Sequence, residues 1–95
     1  MDLGDKYLRI VESVCAYYGL SNANLIDLLK DRENKYLLLL LLKKYRCMDK
    51  EKLRVILNVK SNRTITSNIK KAEEKLLINK DFRDRFFEIE EGLLK

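Results

Sequence analysis

Apolar residues recur along this chain at helical spacing, and the pattern divides it into six amphipathic segments. The first covers Asp5 to Tyr18, where Tyr7, Ile10, Val11, Val14 and Tyr18 fall on one stripe. Cys15 lies beside that stripe and reads as a core residue rather than a reactive thiol. Gly19 follows where a left-handed helix cap is wanted. Ser21 or Asn22 then caps a short second helix carrying Leu25, Ile26, Leu28 and Leu29. The charged stretch Lys30-Asp31-Arg32-Glu33-Asn34 interrupts the pattern and reads as a loop.

A third helix runs from Lys35 to about Arg46 and holds consecutive leucines from Leu37 to Leu42. A helix apolar on nearly every side is a central one, with helices one, five and six as its partners. A buried strand is the competing reading of a short apolar run. Leucine in place of β-branched residues, and the continuation Lys43-Lys44-Tyr45-Arg46, favour the helix. Cys47 then reads as a helix-end residue. Asp49 is the N-cap of a fourth helix, 49–57, with Leu53, Ile56 and Leu57 facing inward. Asn58-Val59-Lys60 is a turn, and Ser61 or Asn62 caps a fifth helix that runs to Ile78. Its inner stripe is Ile65, Ile69, Ala72 and Leu76. Asn79 caps the sixth, whose inner set is Phe82, Phe86, Ile89 and Leu93. The expectation is one all-α domain over residues 1–95, a compact bundle of about six helices. The chain has no proline and only three glycines, too few for the tight turns of a sandwich or barrel.

Charge changes this picture by its location. The net charge is +5, but residues 41–75 hold eleven Lys/Arg against four Asp/Glu, while each flank is slightly acidic. A central basic block points to a polyanionic partner, with a solvated lysine-rich face as the plain alternative. The segments 49–57 and 62–78, joined by a turn of about three residues, have the format of a helix-turn-helix, whose second helix lies in the major groove of duplex DNA. With Ile65 pointing inward, a rotation of about 100° per residue turns Arg63, Ser67 and Lys70 outward, flanked by Thr66 and Lys71, with Thr64 at the edge. No acid lies on this half of the helix. Lys60, Ser61 and Asn62 are thereby candidates to hold the phosphate backbone. Arg63, Thr64, Ser67 and Asn68 are candidates to reach base edges. Lys70, Lys71, Lys30, Arg32 and Lys35 would add phosphate contacts.

The chain resembles the C-terminal DNA-binding domain (domain IV) of the bacterial replication initiator DnaA, a module related to Trp-repressor-like folds. The likeness rests on Val14-Cys15-Ala16-Tyr17-Tyr18-Gly19-Leu20-Ser21 followed by Leu25, Leu28 and Leu29, and on Asp81-Phe82 leading the last helix. It extends over about residues 5 to 93. The family opens its recognition helix with a basic residue, Asp, His, Thr, Thr and Val; here the same register reads Lys60, Ser61, Asn62, Arg63, Thr64 and Ile65. The resemblance implies the fold, a double-stranded DNA partner, and a role in replication initiation or its regulation. The changed base-reading positions imply a different binding site. With no Gly-rich phosphate loop, the chain is expected to be a stand-alone relative, which Met1 favours, or an excised domain.

Other classes are weaker. Without a single histidine there is no His base, Ser-His or Cys-His pair, so an enzyme is not expected, nor any cofactor or metal. Cys15 and Cys47 form no CxxC and no disulfide framework. The acidic N-terminus is not a signal peptide, and the longest apolar run, Tyr36 to Leu42, is too short to span a bilayer, so a cytoplasmic, nucleoid-associated protein is expected. Tyr17 and Tyr18 read as packing residues, although Tyr17 has the chemistry to stack on a base. The chief rival is a protein-interaction module that keeps the fold and turns its basic face to an acidic protein. RNA binding is a third option, without the usual aromatic platform.

Overall fold

Six leucines in succession must point around the whole circumference of a helix, so the helix that carries them has to be enclosed. The computed structural model of the protein, which describes residues 3–94, with side chains from 6 to 94, is arranged around that requirement. Among the described residues there are six α-helices and no strand: α1 (Leu3–Tyr17), α2 (Leu25–Leu28), α3 (Arg32–Lys44), α4 (Lys50–Leu57), α5 (Asn62–Ile78) and α6 (Lys80–Leu94). A single 3-10 turn, Asn22–Asn24, leads into α2. In α3, Leu37, Leu38, Leu39, Leu41 and Leu42 have no exposed surface and Leu40 almost none. α5, α1 and α6 surround it, as the pattern requires. Ile10, Val11, Val14 and Cys15 from α1, Leu53 and Leu57 from α4, Ile65 and Ala72 from α5, and Phe82, Phe86, Ile89 and Leu93 from α6 complete one continuous core.

The helix ends are built by local chemistry. Asp49 accepts from the N–H groups of Glu51 and Lys52, Ser61 from that of Thr64, and Asn79 from that of Phe82, which satisfies donors that have no partner inside the helix. Three helices end the same way, with one residue in the left-handed region: Gly19 at φ 71°, Arg46 at φ 57° and Asn58 at φ 54°. In each case the next N–H reaches back five residues, Leu20 to Cys15, Cys47 to Leu42 and Val59 to Arg54, the closing bond of a Schellman turn. Glycine adopts this backbone freely and asparagine readily, but arginine does so against steric resistance.

The structure corrects the expected loop over residues 30–34. α3 starts at Arg32, and Asp31 is its N-cap, accepting from the N–H groups of Glu33 (2.8 Å) and Asn34 (3.4 Å). Asn34 is buried and donates from Nδ2 to the carbonyl of Leu28 at 3.0 Å, tying the end of α2 to the start of α3. α3 also ends at Lys44, short of Arg46. Cys47 lies just past that end and is buried, its thiol directed at the Tyr45 carbonyl. α2 is one turn long, so it buries Leu28 and leaves Ile26 facing solvent. α1 reaches back to Leu3, two residues before the expected start.

α1 and α6 run antiparallel, stitched by Arg9 to the Leu93 carbonyl, Ser13 to the Ile89 carbonyl and the Tyr17 hydroxyl to Glu88. Tyr17 is thereby held to the protein's own surface, edge-on to Tyr18, which packs against the core. At the other edge of α6, the buried carboxylate of Glu90 accepts from the Tyr45 hydroxyl at 2.7 Å and pairs with Lys44. Burial alone would raise the pKa of Glu90. The hydrogen bonds from Lys44 and Tyr45, with the charge on Lys44, outweigh burial and hold the carboxyl below its ordinary value of 4.5. Burial first, and the Glu90 carboxylate second, push the Tyr45 hydroxyl up to about 12.

Two outcomes follow for stability. Leu39→Ala should cost about 2–5 kcal/mol through the cavity it leaves, read from urea denaturation followed by circular dichroism. Because the folded pKa of Glu90 is depressed, its contribution is present above pH 4.5 and is lost as pH falls through the folded value. Glu90→Gln should therefore be less stable than the wild type by about 1–3 kcal/mol at neutral pH. The two melting curves should converge below pH 4.5.

Candidate nucleic-acid interface

α5 is seventeen residues long, and its two halves differ in chemistry. Ile65 and Ala72 are buried and Ile69 and Leu76 are half-buried, so the predicted inner stripe faces the core. The outward residues of the first half, Arg63, Thr64, Thr66, Ser67, Lys70 and Lys71, are all exposed, as are Lys60, Ser61 and Asn62 before them. Asn68 is half-buried on the flank. The first acid along the helix is Glu73, and it is already paired with Lys43 at 3.1 Å.

The ion pairs of the described residues lie away from this surface. The ion pairs among the described residues use Lys30, Lys43, Lys44, Lys75, Lys80 and Arg85 as cations. None uses a cation between Arg46 and Lys71. That stretch holds eight Lys/Arg and two acids, Asp49 and Glu51, and Asp49 is occupied as a cap. Unpaired cations on one face sum to a positive potential that salt screens only over about a Debye length.

Not every hydroxyl there is free to face outward. The Ser61 hydroxyl accepts from the Thr64 N–H and shares a hydrogen bond with the Thr64 hydroxyl at 3.1 Å. Thr66 donates to the Asn62 carbonyl at 3.1 Å. Ser61, Thr64 and Thr66 thus serve their own helix, while Arg63, Ser67 and Asn68 make no side-chain hydrogen bond among the described residues.

The structure does not bring Lys30, Arg32 and Lys35 to this half. Glu33 bridges Lys75 at 2.8 Å and Arg85 at 2.7 Å, which fixes the start of α3 beside the second half of α5. Lys75 lies twelve residues beyond Arg63, about 18 Å along the axis. Lys30 is itself paired with Asp27 at 3.1 Å. The ammonium of Lys75, against desolvation and with help from Arg85, holds Glu33 below its ordinary pKa, so this bridge stays charged at neutral pH.

Sequence reasoning passed over the residues that do adjoin the start of α5. Asn62 shares a shallow groove of about 490 Å3 with Lys50, Lys52 and Arg54 of α4, the acids Asp49 and Glu51 beside them, and Tyr7 of α1. The Lys52 ammonium stands over the Tyr7 ring, 5.1 Å from its centre. The signal was present in the basic block, but which face of α4 adjoins α5 depends on how the two helices pack. Asn58 makes that packing local, turning the chain through four residues, 58–61, into the Ser61 cap.

No protein-family model, curated protein or solved structure matches this chain. No helix of the described residues is long and apolar enough to cross a membrane, and among them no cluster of three or more potential ligands could hold a metal ion.

Removing the cap tests whether Ser61 is a helix end. Ser61→Ala should lower stability by about 1 kcal/mol, and hydrogen exchange should speed up at Arg63 and Thr64 before any other part of α5.

Proposed function

We propose that this chain binds double-stranded DNA through a helix-turn-helix, with α4 as its first helix and α5 as the helix that enters the major groove. The observation that carries the reading is the acid-free, unpaired basic surface on the first half of α5. Cations within hydrogen-bonding reach of phosphates displace condensed counterions, which gives an affinity independent of sequence. Lys60, Lys70 and Lys71 are suited to that role, joined by Lys50 and Arg54. Arg63 presents a planar guanidinium able to grip a guanine edge with two bonds, with Ser67 and Asn68 one turn further along.

Also supporting the reading is the resemblance to the C-terminal domain of DnaA, which implies a recognition helix at this place in the chain. Under this proposal the site differs from the initiator's own, since Asn62 and Arg63 stand where the family carries His and Thr. A part in replication initiation or its regulation belongs to the same proposal. One observation favours the second reading, an interaction module for an acidic protein. The hydroxyls of Ser61, Thr64 and Thr66 are engaged within the helix, leaving few groups to read bases.

Fluorescence anisotropy of a labelled duplex, titrated at low and at physiological salt, separates the two. DNA binding predicts an affinity that falls with salt with a log–log slope of about −0.9 for each phosphate contacted. Arg63→Ala should cost about 1–3 kcal/mol on the preferred sequence and relax the preference. Lys70→Ala should weaken every duplex alike and reduce the slope by about one. Equal small losses on all sequences for both variants would remove Arg63 from base reading. No binding at low salt would overturn the DNA reading.

A further inference from the structure

Of the three left-handed residues that end helices in this chain, two suit the position. Gly19 has no Cβ to clash, and Asn58 is of a type that enters this region readily. The third is Arg46, at φ 57°. Its turn needs only a backbone. The Arg46 N–H donates to the Lys43 carbonyl at 3.2 Å and the Cys47 N–H to the Leu42 carbonyl at 2.8 Å, bonds that a glycine at 46 would make with less strain. The arginine side chain does not offset that strain within the fold. It is exposed and makes no hydrogen bond, ion pair or ring contact with any described residue. Nor does the helix need another cation at this end, since Lys43 and Lys44 already occupy the last turn of α3.

Backbone strain that the fold itself does not use points to a task outside it, and the place of Arg46 in the chain indicates which. The next two residues, Cys47 and Met48, line the groove that also holds Asn62, the first residue of α5, and Lys50, Lys52 and Arg54 of α4. The backbone of Arg46 leads directly into that wall. Inside the groove Asp49 and Glu51 oppose the cations, and the Lys52 ammonium is drawn over the Tyr7 ring. Arg46 has no such competitor among the described residues. We infer that Arg46 is a further phosphate-binding residue of the DNA interface, contributed by the α3–α4 turn rather than by the helix-turn-helix itself. The inference rests on the DNA-binding function proposed above. A guanidinium suits the role, because it stays charged at any working pH and grips two phosphate oxygens through parallel N–H donors. The buried Cys47 behind it gives the side chain a fixed base.

Three substitutions separate the backbone from the charge. Arg46→Gly removes the strain and the charge, Arg46→Gln removes the charge alone, and Arg46→Lys keeps both. In thermal denaturation without DNA, Arg46→Gly should melt about 2–6 °C above the wild type, with the other two melting beside it. In anisotropy titrations of a labelled duplex, the Gly and Gln variants should bind about tenfold more weakly than the wild type. That loss should be equal on every sequence, with the salt slope reduced by about one. Arg46→Lys should keep the wild-type slope. A glycine variant no more stable than the wild type overturns the inference, since the arginine would then serve the turn. Gly and Gln variants that bind as tightly as the wild type overturn it and leave DNA binding in place. A loss confined to the glycine variant also overturns it, because the loosened turn would be the cause and not the charge. A wild type that binds no duplex at low salt overturns it together with the DNA-binding function, and leaves Arg46 to an acidic protein partner.

Discussion

Enclosing α3 is the constraint on which the rest of this structure depends. Its leucines leave no face for solvent, so three other helices must lie against it, and their positions are set by which of their own faces are apolar. α5 packs against α3, and its inner stripe buries Ile65 and Ala72 in the shared core. That contact anchors the middle and second half of α5. The first half extends past it, held by Ile65 inside and by the α4 turn behind, with its outer face committed to no other part of the described chain.

The distribution of ion pairs follows from the same arrangement. Where α5 lies against α3 and α6, its charged residues find partners: Glu73 with Lys43, and Lys75 with Glu33, which also holds Arg85. Where α5 extends beyond them, Arg63, Lys70 and Lys71 find none. Such pairs at the surface are each worth little in stability. Their effect here is on the field, because they offset Lys43 and Lys75 beside the second half of α5 and leave the cations of its first half uncompensated. Exposed Leu77, Ile78 and Phe87 suit association with another protein surface, and the uncompensated cations at the start of α5 suit a polyanion.

Much of this was legible in the residues alone, for identifiable reasons. Asp49, Ser61 and Asn79 stand immediately before amphipathic runs, and the hydrogen bonds that make them caps span two or three residues. Gly19 and Asn58 mark chain reversals because few other residues adopt a positive φ. The stretch 30–34 misled for the opposite reason. Its five polar residues look like solvated loop, yet Asp31 caps a helix there and Asn34 turns inward to the Leu28 carbonyl. A buried asparagine is recognised only when its distant acceptor is in place.

The sequence by itself determined the helical class, most helix ends, the inner stripes and the outward basic face of α5. These depend on periodicity and on contacts within a few residues, which the order of amino acids specifies directly. Only the tertiary structure decided that Lys30, Arg32 and Lys35 lie at the far end of α5, and that Lys50, Lys52 and Arg54 adjoin its start. It likewise decided that the hydroxyls of Ser61, Thr64 and Thr66 turn back on their own helix, and that Leu77, Ile78 and Phe87 remain uncovered. Each of those depends on the crossing of one helix over another or on the choice among rotamers at a helix end. Periodicity places a residue on a face of its own helix, and it carries no information about what stands opposite.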